Sequence, residues 1–541
     1  MGILHSKFIN QVYFIVASLA LLGIYYSGHQ AMLIDDGISG IWEIKMEGLS
    51  GYWKSYGFEN FYYGHYVIVA ILYGLFGLQP LGWFLFFMGM HALNSTLIFM
   101  VCKSLFANAT TKSEAGAMAL ISSLLFLLSP YQSENIIWAA TSHYCITLFI
   151  LLLSVHWLLK VMEGYKPFSS IVLHVLFAFA LITLEISFLF PIVMFFVYVL
   201  WILFKKNKLS YRDYGLKILL PQFLLVLVYC AFHKYLFHTW IPHDRASQDT
   251  VFSISHAITT LSQQVVKLFG FVHFLDFAKR EGVYLSLLHW KKVLVLMVLL
   301  IALISFFLYR RQKEKCYIAL FFIVAALLMY APFMRLYFMY IARIENDRYN
   351  YFASAFLFSL FVLILFQFHK YIRYSILLLY FGAFVLCLFP VVNARKHSAR
   401  LHQQFLSQLP LNSNSGKLYL LNIPASCKDA YLFRAEGRLG IAYQTIYGKN
   451  IFDQVEQVAW YNAQSEKDIF EVKKLNDSTY HVQIKTNGSW WMHESMGASD
   501  RVTTDYRFEV DEWGGYQIIF RNRLAKDHRV AYYSDGRFII L

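Results

Sequence analysis

Three short charged clusters are this chain's candidates for chemistry. The first is Ile34-Asp35-Asp36-Gly37. Two adjacent carboxylates at the end of an apolar run suit a general base, an acceptor clamp or a cation site. The plain alternative is a solvated turn or helix cap closed by Gly37. The second is Ser133-Glu134-Asn135, after Pro130. Glu134 lies between apolar segments, where an unpaired carboxylate is expensive, and capping the next helix is its structural alternative. The third is Arg343-Ile-Glu345-Asn-Asp347-Arg348-Tyr349. A guanidinium at a membrane surface suits a phosphate, which it grips through two parallel hydrogen bonds. Its alternative is a local salt bridge to Glu345 or Asp347. Glu185 is a weaker fourth member. His65, His91, His143 and His174 show no metal-ligand spacing and read as packing or hydrogen-bonding residues.

The elements that must position these groups are apolar helices. Hydrophobic residues make up 58% and charged residues 15% of the 541, whereas a soluble chain holds about 45–50% and about 25%. Aromatics at 18% fit the interfacial enrichment of Trp and Tyr. A spanning helix needs about 20 mainly apolar residues. Eleven segments qualify, near 8–26, 81–102, 116–130, 143–160, 168–184, 186–204, 216–235, 293–309, 316–334, 351–368 and 374–391. Alternate loops carry Lys103/Lys112, Lys160/Lys166, Lys205/Lys206/Lys208/Arg212, Arg310/Arg311/Lys313/Lys315 and Lys370/Arg373. By the positive-inside rule these loops and the N-terminus are cytoplasmic. The charge of +14 then reports orientation, and nucleic acid is excluded as a partner.

The outer face receives loops 27–80 and 236–292 and everything after the last span. Ile254, Ile258, Leu261, Val265, Leu268, Val272 and Leu275 recur in steps of four and three, an amphipathic stripe. It predicts a helix packed on the spans or docked at the interface. The expected domains are a membrane region over 1–392, a linker over 393–416 and a mainly β domain over 417–541. The last rests on short β-rich runs at 418–422, 469–472, 480–485, 516–521, 529–533 and 537–541. Turn signals such as Asn487-Gly488, Gly514-Gly515 and Ser534-Asp535-Gly536 separate them. A sandwich is the expected form. The six cysteines show neither zinc nor disulfide spacing and read as small hydrophobes.

Several phrases carry a family resemblance. Phe76-Gly-Leu-Gln-Pro80-Leu-Gly-Trp-Phe-Leu85, continuing to His91-Ala-Leu-Asn94, is similar to F-G-L-N-P-x-G-[YF]-H-L followed by L-H-A-L-N. Ser129-Pro130-Tyr-Gln-Ser-Glu134-Asn-Ile-Ile-Trp138 is similar to H-P-x-x-x-E-x-V-x-W. Glu345-Asn-Asp-Arg348-Tyr-Asn-Tyr351 is similar to E-R-x-x-Y with altered spacing. These phrases, and an acidic pair after the first helix, belong to the GT-C glycosyltransferases. The chain resembles their protein O-mannosyltransferase branch, especially its tetratricopeptide-repeat-containing transmembrane members and bacterial relatives. The resemblance covers roughly 8–390. It departs at Phe61-Tyr62-Tyr63, where the family has Y-R-P, and at Thr141-Ser142, where it has Gly-Arg; the repeat tail is absent.

The resemblance implies a polytopic α-helical GT-C-like fold and inverting sugar transfer from a polyprenyl phosphate to a hydroxyl of a protein, lipid or glycan. Asp35 or Asp36 would take the acceptor proton. Arg348, with Arg343, would bind the donor phosphate. Glu134 would position the acceptor or share a divalent cation, Mg or Mn, with the acid pair. The isoprenoid would lie in a groove beside 254–275, with Lys279, Arg280, Lys291 and Lys292 near its headgroup. A bacterial inner membrane is the expected location, with the N-terminus cytoplasmic and the β domain outside.

Three other readings compete. A lipid-linked polysaccharide ligase or polymerase carries its arginines on one large late outer loop, so the early acid pair argues against it. A transporter places binding groups near the midplane and shows repeated halves, and no repeat is visible here. A GT-C-like scaffold without activity shares every one of these sequence features.

Overall fold

The computed structural model describes residues 2–51, 62–164, 167–204, 209–240, 253–271, 275, 312–334, 344–411, 416–428, 430–486, 488–490, 500–511, 515–521 and 527–541. Among them, eight helices are long and apolar enough to cross a membrane: Phe8–Leu33, Pro80–Phe106, Ala139–Glu163, Glu185–Leu203, Tyr211–Phe237, Lys313–Phe333, Asp347–Leu365 and Lys370–Ser407. A ninth candidate is the pair Lys112–Leu128 and Pro130–Ile137, bent by 57°. The bend has a local cause. Ser129 precedes a proline and is extended (φ −63°, ψ 126°), because the Pro130 ring disfavours helical geometry at the residue before it. The segment expected at 168–184 is the shorter helix Pro167–Leu181. The span expected at 293–309 lies outside the described residues.

The last long helix departs from expectation. It runs unbroken from Lys370 to Ser407 with Pro390 inside it, so 393–407, expected as linker, are helical. Ala394, Arg395, Ser398, Leu401, His402 and Phe405 are all buried. Ser398 donates to the Tyr431 carbonyl at 2.8 Å, and His402 stacks on Phe433. A chain that continues as a rigid helix carries the C-terminal domain at a fixed position, which a flexible linker would not.

The C-terminal domain is β-rich but is not a simple sandwich. Its 13 strands form sheets of four, five and four. Six strands fall on the expected runs; Phe470–Asn476 and Thr479–Ile484, for example, pair antiparallel. Arg529–Ser534 and Arg537–Ile540 form a hairpin in which Asp535 (φ 49°) and Gly536 (φ 75°) make the turn. Positive φ at both central residues is the hairpin geometry whose twist matches its strands. Leu418–Leu420 pairs parallel with Val455–Gln457, and Ile423–Cys427 with Trp460–Ala463. Parallel neighbours need a crossover, and the helix Arg438–Tyr447 lies on that connection. The turns at Asn487 and Gly514 lie partly outside the described residues.

Two apolar cores organise the molecule. One fills the helical region. The other belongs to the C-terminal domain, yet it includes Ala31, Ile34, Ile38 and Trp138 from the end of the first long helix, the segment that follows it and the segment that follows Pro130. The expected clean boundary between membrane region and β domain is therefore absent at this end.

The amphipathic stripe is the helix Ile254–Phe269; Leu268 is buried and Leu261 and Val265 pack on the helical core, but several of its polar residues are buried too. Thr260, Gln263, Gln264 and Lys267 are buried, while Ile254 is 74% and Ile258 39% exposed. Lys267 Nζ lies 2.7 Å from Asp347 Oδ1, with neither side chain exposed. Gln264 accepts from Asn350 at 2.9 Å. The ion pair lies on the packed side of the helix, and the exposed apolar residues are confined to its first turns. Removing one member of a buried pair strands the other at about 3–5 kcal/mol. Lys267→Met is expected to destabilise the detergent-solubilised protein by that amount in denaturant unfolding, and Lys267→Met/Asp347→Leu to recover most of it.

Candidate functional site

The site is built around one indole. Trp138 is buried, and its Nε1 donates to the Ile34 carbonyl at 2.9 Å. That bond ties the second outer loop to the first, immediately before the acid pair. Asp35 adopts a left-handed conformation (φ 50°), which Asp tolerates better than most residues. Gly37 follows because nothing larger fits. A Cβ there would lie 2.6 Å from the Met32 carbonyl oxygen and 3.3 Å from the Trp138 ring. Asp36 then opens the helix Asp36–Gly51, where a negative charge complements the helix dipole.

The partners of the acid pair come from the far end of the chain. Arg434 Nε is 2.9 Å from Asp35 Oδ2, and the Arg434 backbone N–H donates to Asp35 Oδ1 at 3.3 Å. The same guanidinium reaches Asp36 Oδ2 through Nη2. Arg438 Nη2 lies 2.5 Å from Asp36 Oδ1, and its Nη1 donates to Ser39. The helices that open at Asp36 and Arg438 lie side by side, and Trp42 Nε1 donates to Gln444 Oε1 at 2.8 Å. The Asp35 side chain is wholly buried, while that of Asp36 is 22% exposed. Burial pushes the Asp35 carboxyl up, against the opposing pull of Arg434 and Arg438. Burial also lowers the Arg434 guanidinium, which Asp35 counteracts.

Glu134 meets Arg348, as the two sequence clusters allowed. Arg348 Nη1 is 2.5 Å from Glu134 Oε1, and the Arg348 backbone N–H donates to Glu134 Oε2 at 2.8 Å. The carboxylate in this bidentate grip is that of Glu134. Three guanidinium carbons lie within 6 Å of the Trp138 ring centroid: Arg348 at 5.9 Å, Arg395 at 5.7 Å and Arg434 at 5.8 Å. Such a cluster is attracted to the indole face and holds its cations in one plane of approach.

Asp35, Asp36, Glu134 and Arg348 thus converge on one place. Arg343, Lys279, Arg280, Lys291 and Lys292 lie outside the described residues. Glu185 accepts from Tyr62 at 3.3 Å. His65 and His143 pack edge to face, and His91 bonds Tyr351 at 2.9 Å, in keeping with their reading as packing groups. Among the described residues no three His, Cys, Asp or Glu side chains group as a cation site. Asp35, Asp36 and Glu134 turn their oxygens to guanidinium groups, so the expected Mg or Mn site does not fit this arrangement.

Arg395, Arg434 and Arg438 were missed in the sequence. Arg438 left a faint signal. It opens a helix with no acid in its first turn, a poor place for a cation unless an outside anion meets it; Asp36 is that anion. Arg395 left none, because it sits in a stretch that reads as linker.

No family model and no curated protein matches the chain. Among solved structures, the apo oligosaccharyltransferase of Archaeoglobus fulgidus is similar over 84% of this chain, at 10% identity and a TM-score of 0.44. This chain spans 64% of that enzyme's length. The apo structure of ArnT from Cupriavidus metallidurans is similar over 81% of this chain and 85% of its own, at 13% identity and a TM-score of 0.40. Its undecaprenyl phosphate-bound structure gives 80% and 84%, with 14% identity and a TM-score of 0.39. Likenesses this loose assign neither a family nor an activity.

The interlocked charges make a definite prediction. Arg434→Ala leaves Asp35 buried without its nearest cation and is expected to cost about 3 kcal/mol. Limited proteolysis should then cut between the last long helix and the C-terminal strands faster than in the wild type. Adding Asp35→Asn should restore part of the loss, because the stranded charge is gone.

Proposed function

We propose that the chain is a membrane glycosyltransferase, moving a sugar with inversion from a polyprenyl phosphate to a hydroxyl acceptor at the outer ends of its spanning helices. The observation that carries this reading is the convergence of a part-exposed carboxylate and fixed guanidinium groups on Trp138, where the spans meet the C-terminal domain. The phrases resembling GT-C enzymes supply Asp35, Asp36, Glu134 and Trp138 to that place, which supports the reading. The helix Ile254–Phe269, with Ile254 and Ile258 exposed at its start, runs beside it, since its Gln264 is bonded to Asn350, two residues from Arg348.

In this mechanism Asp36 is the base, because it is the member of the pair that an acceptor can reach. Its two oxygens each meet an arginine, but a carboxylate offers about four lone-pair directions, so an acceptor O–H can still donate to it. The acceptor oxygen attacks C1 of the sugar, its proton passes to Asp36, and the C1–O bond to phosphate breaks. The electron pair leaves with the polyprenyl phosphate. One displacement inverts the anomeric centre. Asp35, buried under Arg434, fixes the turn that aims Asp36. Arg348, held by Glu134, faces the departing phosphate, where a preorganised cation lowers the barrier by stabilising charge as it develops.

A scaffold without catalysis is the second reading, favoured by the ion pairs that neutralise Asp35 and Asp36. The two separate in an assay of purified protein with polyprenyl-phosphate sugars and hydroxyl acceptors. Asp36→Asn is expected to reduce transfer by about 10²–10⁴-fold, the usual worth of a positioned base. Arg348→Ala should chiefly impair donor use. Transfer that survives Asp36→Asn within tenfold removes the assigned base, and a wild type inert toward every donor supports the scaffold.

A further inference from the structure

Arg395 is the odd cation of the site. Its side chain is wholly buried, and Nε, Nη1 and Nη2 all lack a hydrogen-bond partner. Its neighbours are known. The Cβ of Arg395 would lie 3.7 Å from a Cβ built on Gly28; its guanidinium carbon lies 5.7 Å from the Trp138 centroid. Its charge acts on both Asp35 and Glu134; Glu134 is hydrogen-bonded by Arg348, and Asp35 is ion-paired with Arg434, with its Oδ2 making no hydrogen bond. Among the described residues that meet at this site, three acids (Asp35, Asp36, Glu134) therefore face four arginines (Arg348, Arg395, Arg434, Arg438). One positive charge is left over, and it is the buried one.

A buried guanidinium without partners is costly to keep. Arg434 and Arg438 are spent on the acid pair, and Arg348 on Glu134. We infer that Arg395 is the seat of an anion, a phosphate group, held against the Trp138 face. Five N–H groups in a planar fork match a phosphate through two parallel bonds. The helix bearing Arg395 passes from a membrane-spanning length into the outer domain, which places the seat at headgroup depth. Its identification with the donor's phosphate rests on the glycosyltransferase reading, whereas the anion seat stands on the unpaired charge.

The test is binding to the full-length protein in detergent, with undecaprenyl phosphate, undecaprenol and inorganic phosphate as separate probes. The wild type is expected to bind undecaprenyl phosphate at least tenfold more tightly than undecaprenol. Arg395→Met should weaken that binding tenfold or more, and Arg395→Lys by less, since it keeps the charge without the fork. Without ligand, Arg395→Met should unfold no earlier than the wild type, because it removes an unpaired charge. Undiminished binding by Arg395→Met overturns the seat and, where sugar transfer persists, leaves the proposed function standing. Failure of Arg395→Met to fold, or earlier unfolding without ligand, also overturns it by showing a counter-ion to Asp35 and Glu134. Binding of inorganic phosphate that depends on Arg395, without binding of undecaprenyl phosphate, upholds the seat and overturns the polyprenyl donor instead.

Discussion

Everything at this end of the helices depends on one ion-pair fork. Arg434 takes Asp35 through its backbone N–H and Nε and Asp36 through Nη2, joining residues 399 positions apart. Without it Asp35 would be buried without its nearest cation, and Arg438–Asp36 and Trp42–Gln444 would be left to tie the C-terminal domain to the first turn. With it, the first outer turn, the Trp138 loop and the strand end at Tyr431 share one apolar core. The C-terminal domain is part of the site's wall, and its arginines set the electrostatics of the proposed base.

The arrangement is paid for by burial. Each charge near Trp138 has lost water, and nearly all have recovered it as directional hydrogen bonds to a partner from another element. Glu134 illustrates this, accepting from both the backbone and the guanidinium of Arg348. Lys267 and Asp347 repeat the pattern one layer away. Such pairs contribute little net stability, but breaking one is severe, so they specify a single arrangement of the helices. Arg395 is the exception to this rule, and exceptions of that kind are where a ligand belongs.

Much of the fold was legible in the sequence because its signals are local. Apolar runs of spanning length became helices, and Pro130 ended one where a proline should. Six β-runs and the Asp535-Gly536 turn appeared where alternation and turn chemistry placed them. Two elements went astray for physical reasons. In place of the linker expected at 393–416, helix persists to Ser407 because Leu401, Phe405 and Leu406 pack on the β domain. The sandwich failed because parallel pairing, with a helical crossover, leaves no trace in short alternating strands.

For the site, the sequence by itself determined which acids could matter, Asp35, Asp36 and Glu134, and that Arg348 could meet one of them. Carboxylates beside apolar segments are expensive, and that cost is visible in one dimension. Only the tertiary structure decided their partners. Arg434 and Arg438 find Asp35 and Asp36 because two helices lie side by side, and Arg395 reaches Trp138 because a helix outruns the membrane. Those are distances between elements, and no residue pattern along the chain encodes them. The charge a sequence counts is a sum; which charge remains unpaired is a property of the fold.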